Sequence, residues 1–251
     1  MSTSSLFIIA AAGGNPTAIR ILTRAESSGW YTKEGATLMA ENVPLGVEQA
    51  GFLIPKERRF EMSGGEFCGN AARSAALLLS RFSGDEAGAF QMSGYEGDVR
   101  FFVRWESKTA ATVTCDFDRL PIKIRRERTT DGEIQIVDLG GIVHVAIEGA
   151  LPSDHEAQHR TLTRRFGLMD RGAVGVCWVE RANDRVTLHP VVWVKAIDSF
   201  FYETSCGSGS IAAAAVTGMN EITQPSGEAI EVQREGNKVS LQSHMEIVHE
   251  E

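Results

Sequence analysis

The sequence predicts an α+β fold of two pseudo-symmetric halves, each a curved, mostly antiparallel sheet wrapped around one central helix. Three observations predict it. Strand-like runs fill most of the 251 residues. Two short helical segments, one after Cys68 built on "AALLL" and one after Cys206 built on "IAAAAV", are apolar all round, which marks a buried helix rather than a surface one. Each of these helices is opened by the same device, a cysteine set on glycine. A helix that is apolar on every side needs a wall on every side, and its own sheet can supply it.

In the first half, "SLFIIAA" and "AIRILTR" read as strands, joined by a turn at "GGNPT", whose Gly, Asn and Pro are the residues that turns demand. "TKEGATLMAENV" reads as a short helix. "EQAGFLIP" and "RRFEMS" read as strands, and the first central helix runs from about Asn70 to Phe82. "GAFQMS", "DVRFFVRWE" and "ATVTCDFD" alternate or run apolar in strand fashion. The charged, proline-bearing stretch "DRLPIKIRRERTT" then breaks the pattern near Arg119 to Pro121. The expected halves are residues 1–119 and 120–242, with a last strand, about 243–250, packing back on the first half. The basic residues Lys123, Arg125, Arg126 and Arg128, interrupted by Glu127, read as a solvated edge strand, where charge also blocks aggregation.

The second half opens with the strands "EIQIVDLGG" and "VHVAIEG", followed by a polar helix in "SDHEAQHRTLTRRFG". "AVGVCWVE" and "RVTLHPVVWV" are strands separated by the turn signal "RAND". After the Cys206 helix come "EAIEVQ", a turn at "EGN", and the strands "KVSLQ" and "HMEIVH".

Composition narrows the function. With 43% hydrophobic residues the chain can build a large core. A net charge of −8 argues against a general nucleic-acid binder, whose affinity rests on neutralising phosphates. No apolar run approaches the ~18 residues of a membrane span. "LFIIAAAGG" could pass for a signal segment, but "MSTSS" carries no basic residue, so a buried first strand and a cytoplasmic protein are expected. The four cysteines include no Cys-x-x-Cys pair, which leaves a zinc ribbon or redox dithiol without support. Cys115 in "TVTCDF" and Cys177 in "VGVCWV" lie in apolar strands, where a thiol acts as a small hydrophobe.

Cys68 and Cys206 are different. A helix start offers unpaired N–H groups and a partial positive charge, which bias a cysteine there toward thiolate. One such cysteine fits a redox residue or a covalent nucleophile as well. Two of them, if the halves face each other, can flank one ligand. A carboxylate held by the N–H groups of "CGN" and "CGSGS" would place its α-carbon between two sulfurs. One thiolate could then remove the α-proton while the opposite thiol delivers one, inverting the centre, with the helix dipoles stabilising the developing enediolate charge.

"EFCGNAAR" together with "ETSCGSGS" resembles the cofactor-independent racemases and epimerases related to diaminopimelate epimerase. The resemblance extends to "GGNPTAI", "VEQAGFLI" and "QPSGEAIEVQ". It implies two α/β halves with the active site in the cleft between them and Cys68 and Cys206 as the acid/base pair. It also implies that Gly69, Asn70, Gly207 and Ser208 hold the substrate carboxylate and that Asn15 lines the pocket. No cofactor or metal is implied, and a homodimer is plausible by the same likeness.

Two departures from diaminopimelate epimerase bear on substrate. "KAIDSFFYETSC" contains no arginine for a distal carboxylate, and "GGIVHVAI" lacks the asparagine-proline that precedes the family's histidine. The nearer likeness is to the histidine racemases of staphylopine-type metallophore biosynthesis, through "MSGGEFCGNA", "EQAGF", "HPVVWVKAIDSFFYETSCGSGS" and "QPSGE". That implies a free amino acid with a polar or cationic side chain, histidine first. Glu48 is then a candidate for the substrate's ammonium or imidazole, or else a surface residue of its strand. His144 falls where the family places a pocket histidine, or is a core histidine bonded to backbone. Glu203 could orient the site or cap its helix. The competing readings are a diaminopimelate epimerase and a catalytically idle amino-acid-binding protein.

Overall fold

The computed structural model describes residues 5–129, 132–195 and 198–251. Met1 to Ser4 of the N-terminal stretch, Thr130, Asp131, and the Ala196–Ile197 pair within "KAIDSFFYETSC" lie outside them. Among the described residues no helix is long and apolar enough to cross a membrane.

The same topology occurs twice. In the first half, β1 (Leu6–Ala11) pairs antiparallel with β2 (Gly14–Ile21), and β2 pairs parallel with β3 (Gln49–Ile54) across a crossover containing α1 (Ser28–Glu41). β3 pairs antiparallel with β4 (Arg59–Met62), and β4 pairs parallel with β5 (Ala87–Met92) across α2 (Gly69–Ser83). β6 (Asp98–Trp105) and β7 (Ala110–Phe117) follow antiparallel.

The second half repeats each step. β9 (Gly132–Asp138) pairs antiparallel with β10 (Val143–Glu148), which pairs parallel with β11 (Ala173–Ala182) across α3 (His155–Arg165). β11 pairs antiparallel with β12 (Arg185–Val194), which pairs parallel with β14 (Glu221–Thr223) across α4 (Gly207–Thr217). β15 (Ala229–Glu235) and β16 (Lys238–Glu250) complete the set. Two strands stand outside the repeat: β8 (Lys123–Thr129), which carries the basic cluster at the open edge of the sheet, and β13 (Ser199–Tyr202), which pairs with β12.

β16 joins the halves. It pairs with β15 at one end, with β7 over Val239–Glu246, and with β1 over Met245–Glu250. The first sheet is therefore closed into a barrel around α2. "KVSLQ" and "HMEIVH" form one continuous strand, since nothing between them breaks it.

Each half uses one helix inside and one outside. α2 is buried from Gly69 through Ser80, and α4 from Gly207 through Ala214, in a shared apolar core. Their caps match as well: a cysteine at the N-cap and a left-handed glycine, Gly84 or Gly218, at the C-terminal end, the conformation that a missing Cβ makes cheap. α1 covers the outer face of β1–β3 through Tyr31 and Leu38 packed on Ile8, Ala18 and Phe52. α3 covers β9–β12 through Leu162 packed on Trp178 and Trp193.

Three local expectations shift. α1 begins at Ser28 because the Ser27 side chain accepts from Trp30 N–H and caps it there. The β1–β2 turn is the pair Ala12–Gly13, both left-handed, and Asn15 lies within β2 with φ 44°. Between Ile9–Thr17 and Ala11–Gly14, β2 advances three residues while β1 advances two, a bulge that re-aims the strand at Asn15.

Candidate active site

Cys68 and Cys206 are the N-cap residues of α2 and α4. Each sulfur accepts from the backbone N–H three residues on: Ala71 at 3.4 Å and Gly209 at 3.2 Å. A thiol thus occupies the place that Ser, Thr, Asp or Asn usually fills, with its sulfur at the positive end of the helix. The two helices meet start to start at Gly69 and Gly207. At that junction lies a cavity of about 150 Å³ that both cysteines line. Its apolar side comes from Ile142, Val192, Val194 and Phe201, and its polar side from Glu48, Gln49, Glu66, Asn70, Glu203 and Ser208. A larger groove of about 570 Å³ between α3 and β9–β11 contains neither cysteine.

Of the residues singled out in the sequence, Cys68, Cys206, Glu48, Asn70, Glu203, Gly207 and Ser208 line this cavity together. Asn15, Gly69 and His144 do not; they stand one layer behind it. Asn15 is fully buried and its amide donates to Ser205 O at 3.0 Å. Asn70 donates to the same carbonyl at 2.9 Å, so two asparagines from the first half grip the residue before Cys206. Gly69 contributes backbone at the helix junction. His144 lies behind Ser208, with Nε2 2.9 Å from Ser208 Oγ and Nδ1 3.4 Å from Cys177 Sγ. Burial drives its pKa down to about 3, so the ring is neutral and serves to orient the serine hydroxyl.

Gln49 and Gln224 were not legible as site residues, because a glutamine carries no reactive signature. The Cys68 thiol donates to Gln49 Oε1 at 3.1 Å, and Gln49 Nε2 donates to Glu203 Oε1 at 3.3 Å, so one amide spans from the first cysteine to the second half. Gln224 accepts from Cys206 N–H at 2.8 Å and donates to Ser210 Oγ at 2.9 Å, fixing the entry to α4. Glu66 did have a signal. A glutamate stands two residues before Cys68, as Glu203 stands three before Cys206.

Burial governs the titrating groups. It pushes Cys68 up to about 12, against the pull of the Ala71 N–H, and holds Cys206 well above the ordinary thiol range, with the Glu203 carboxylate adding to the effect. The expected bias toward thiolate is therefore overturned: desolvation outweighs the helix start. Desolvation likewise lifts Glu48 and Glu203 to about 7 and raises Glu66. Glu203 does not cap α4, since the Cys206 sulfur does so. Glu48 Oε2 is buried without a hydrogen-bond partner among the described residues. Cys115 and Cys177 are buried in the core, as expected of structural thiols.

A family model described as the histidine racemase CntK N-terminal domain matches residues 14–250. The chain belongs to that family. Two histidine racemases from strains of Fusobacterium nucleatum subsp. nucleatum are 31% and 27% identical to it over 179 residues, which is 67% of this chain. The match spans 65% and 64% of those proteins' length, less than two thirds. Among solved structures, a predicted epimerase from Pseudomonas aeruginosa aligns with a TM-score of 0.66 at 12% identity, covering 99% of this chain and 98% of that one. A hydroxyproline epimerase from Agrobacterium vitis, with bound trans-4-hydroxy-L-proline, aligns at 0.57 and 10% identity, covering 97% and 88%. At such identities these two share the fold of this histidine racemase family member, and the fold alone.

Proposed function

We propose that the protein is a cofactor-independent amino-acid racemase that inverts the α-carbon of histidine by a two-base mechanism. The observation that carries this reading is that Cys68 and Cys206, remote in sequence, line one cavity where two helix N-termini converge. The substrate carboxylate would lie against the first turns of α2 and α4, whose N–H groups and dipoles meet the charge that develops as the α-proton leaves. Ser208, held by His144, supplies a hydroxyl to the same group. One cysteine as thiolate takes the α-proton, and the opposite thiol donates its proton to the other face. The pair then ends with its protonation exchanged, ready for the reverse reaction.

Entry of the substrate changes the electrostatics of the site. An ammonium and an imidazolium bring positive charge into a cavity bordered by Glu48, Glu66 and Glu203, and the same charges favour a thiolate. Glu48, with its unpartnered buried oxygen, is the group that side chain would satisfy. This also weighs against diaminopimelate as substrate. No arginine or lysine stands on the described cavity wall to hold its second carboxylate.

Incubation with each L-amino acid in heavy water, followed by NMR of the α-proton, tests the proposal. Loss of the signal from histidine, with appearance of the D-enantiomer, is the expected result. Exchange of diaminopimelate instead would support the epimerase reading. Exchange of none would leave a binding protein.

A further inference from the structure

The two-base reading leaves Cys177 idle, yet this thiol stands directly beneath the site. It lies in β11 with no exposure to solvent. A Cβ on Gly209, in the first turn of α4, would meet Cys206 Sγ at 3.0 Å and Cys177 Sγ at 3.3 Å, so both sulfurs close on the same glycine. Two residues before Cys177, on the same face of β11, Gly175 is paired with His144 of β10. Its missing side chain admits the imidazole: a Cβ there would lie 2.2 Å from His144 Nδ1.

These placements line up four buried side chains. Cys177 Sγ is 3.4 Å from His144 Nδ1, His144 Nε2 is 2.9 Å from Ser208 Oγ, and Ser208 Oγ is 3.7 Å from Cys206 Sγ. Burial keeps the His144 ring neutral, so it carries a single N–H and the chain has two possible directions. With the proton on Nδ1, the ring donates to Cys177, a weak sulfur acceptor, and Ser208 spends its only proton on Nε2. The cavity then meets oxygen lone pairs, the wrong polarity for a carboxylate, and the Cys177 S–H has no acceptor among the described residues. With the proton on Nε2, the Cys177 S–H donates to Nδ1, the ring donates to Ser208, and the Ser208 O–H is free for the cavity or for the Cys206 sulfur. All three protons then have acceptors. Burial also pushes the Cys177 thiol above the ordinary range, so its donor proton is permanent.

We propose that Cys177 fixes His144 as its Nε2–H tautomer and so points the Ser208 hydroxyl proton into the cavity, at the substrate carboxylate. The bond made by one ring nitrogen sets the proton on the other. This rests on the racemase reading for the identity of the anion. It makes Cys177 a positioning residue, two side chains removed from the substrate.

The tautomer is read in protein labelled with ¹⁵N-histidine, from the two-bond ¹H–¹⁵N correlations of the His144 ring, assigned by their loss in His144→Gln. The expected wild-type ring is Nε2–H, and an Nδ1–H ring overturns the proposal. Kinetics test the consequence. Cys177→Ala removes the donor and should raise KM for histidine by about fivefold, the weight of one ordinary hydrogen bond, with a smaller change in kcat. Cys177→Ser restores a donor at the same place and should recover most of that loss. An unchanged KM in a folded Cys177→Ala overturns the proposal. So does an equal loss in Cys177→Ser, which would assign the thiol to packing alone. If Cys177→Ala fails to fold, the wild-type tautomer decides. The ring measurement needs no turnover, so a protein that exchanges no amino acid would sink the racemase reading while still reporting on Cys177.

Discussion

Gly69 and Gly207 are in backbone contact: a Cβ on Gly207 would stand 3.1 Å from Gly69 Cα, and one on Gly69 3.4 Å from Gly207 Cα. Two like-signed helix ends are thereby forced together, an arrangement that repels by itself and attracts an anion. Gly207→Ala tests it. The added methyl meets backbone and Asn70 Oδ1, not a flexible chain end, so overpacking of about 1–3 kcal/mol outweighs the gain of up to about 1 kcal/mol in helix propensity. We expect a net loss of about 1 kcal/mol in denaturant titrations and a fall in kcat/KM of tenfold or more. A variant as active as wild type would show that the contact does not set the site.

Removing either sulfur should stop racemisation. Positioned acid and base groups are worth about 10² to 10⁴ each, so Cys68→Ala and Cys206→Ala should both lose at least two orders of magnitude in the rate of D-histidine formation, measured by chiral chromatography. Normal turnover in either variant would refute the two-base assignment.

Glu48→Gln separates recognition from chemistry. The neutral amide no longer matches an imidazolium, so KM for histidine should rise about tenfold, as loss of one charge-assisted bond implies, with a smaller change in kcat. Initial-rate kinetics with histidine and a neutral amino acid would check it, because an equal effect on both would assign Glu48 to the common ammonium instead.

Glu203 should cost the protein stability above pH 7. Its carboxyl is raised by burial to about 7 from 4.5, so the folded state binds more protons than the unfolded state between those values. That contribution is present at pH 4.5, and it fades as pH climbs through 7. Glu203→Gln keeps an acceptor for Gln49 Nε2 and has no charge to bury. We expect it to be more stable than wild type by on the order of 1–3 kcal/mol at pH 8 and nearly equal at pH 5, in parallel urea titrations. His144 and His159, depressed to about 3 and 4 by burial, act oppositely, losing stability as pH falls below about 6.5, but they are common to both proteins and cancel in the comparison.

Much of this was legible in the residues. The two buried helices and their cysteines were, because the runs "AALLL" and "IAAAAV" leave no stretch for solvent and a helix start is short-range in sequence. The edge position of β8 was legible from its alternation of Arg with Glu127. β13 and β14 were not, since "SFFY" and "EIT" are too short for any period to show. The bulge at Asn15 was hidden because Gly, Asn and Pro signal a turn as readily as a kinked strand. Gln49, Gln224 and Cys177 act through contacts with distant segments, which sequence spacing does not encode. The raised thiols are hidden for a related reason: a helix start can be read locally, but the desolvation that opposes it depends on the whole surrounding sheet.

The placement of β16 has a consequence for how the chain is made. The strand that closes the first barrel, between β1 and β7, is the last in chain order among the described residues. On the ribosome, β1 and β7 must therefore wait with bare edges while more than a hundred further residues are synthesised. Such an exposed intermediate is slow to mature and open to pairing with a neighbour, so chaperone supply and synthesis temperature should govern the yield of native protein.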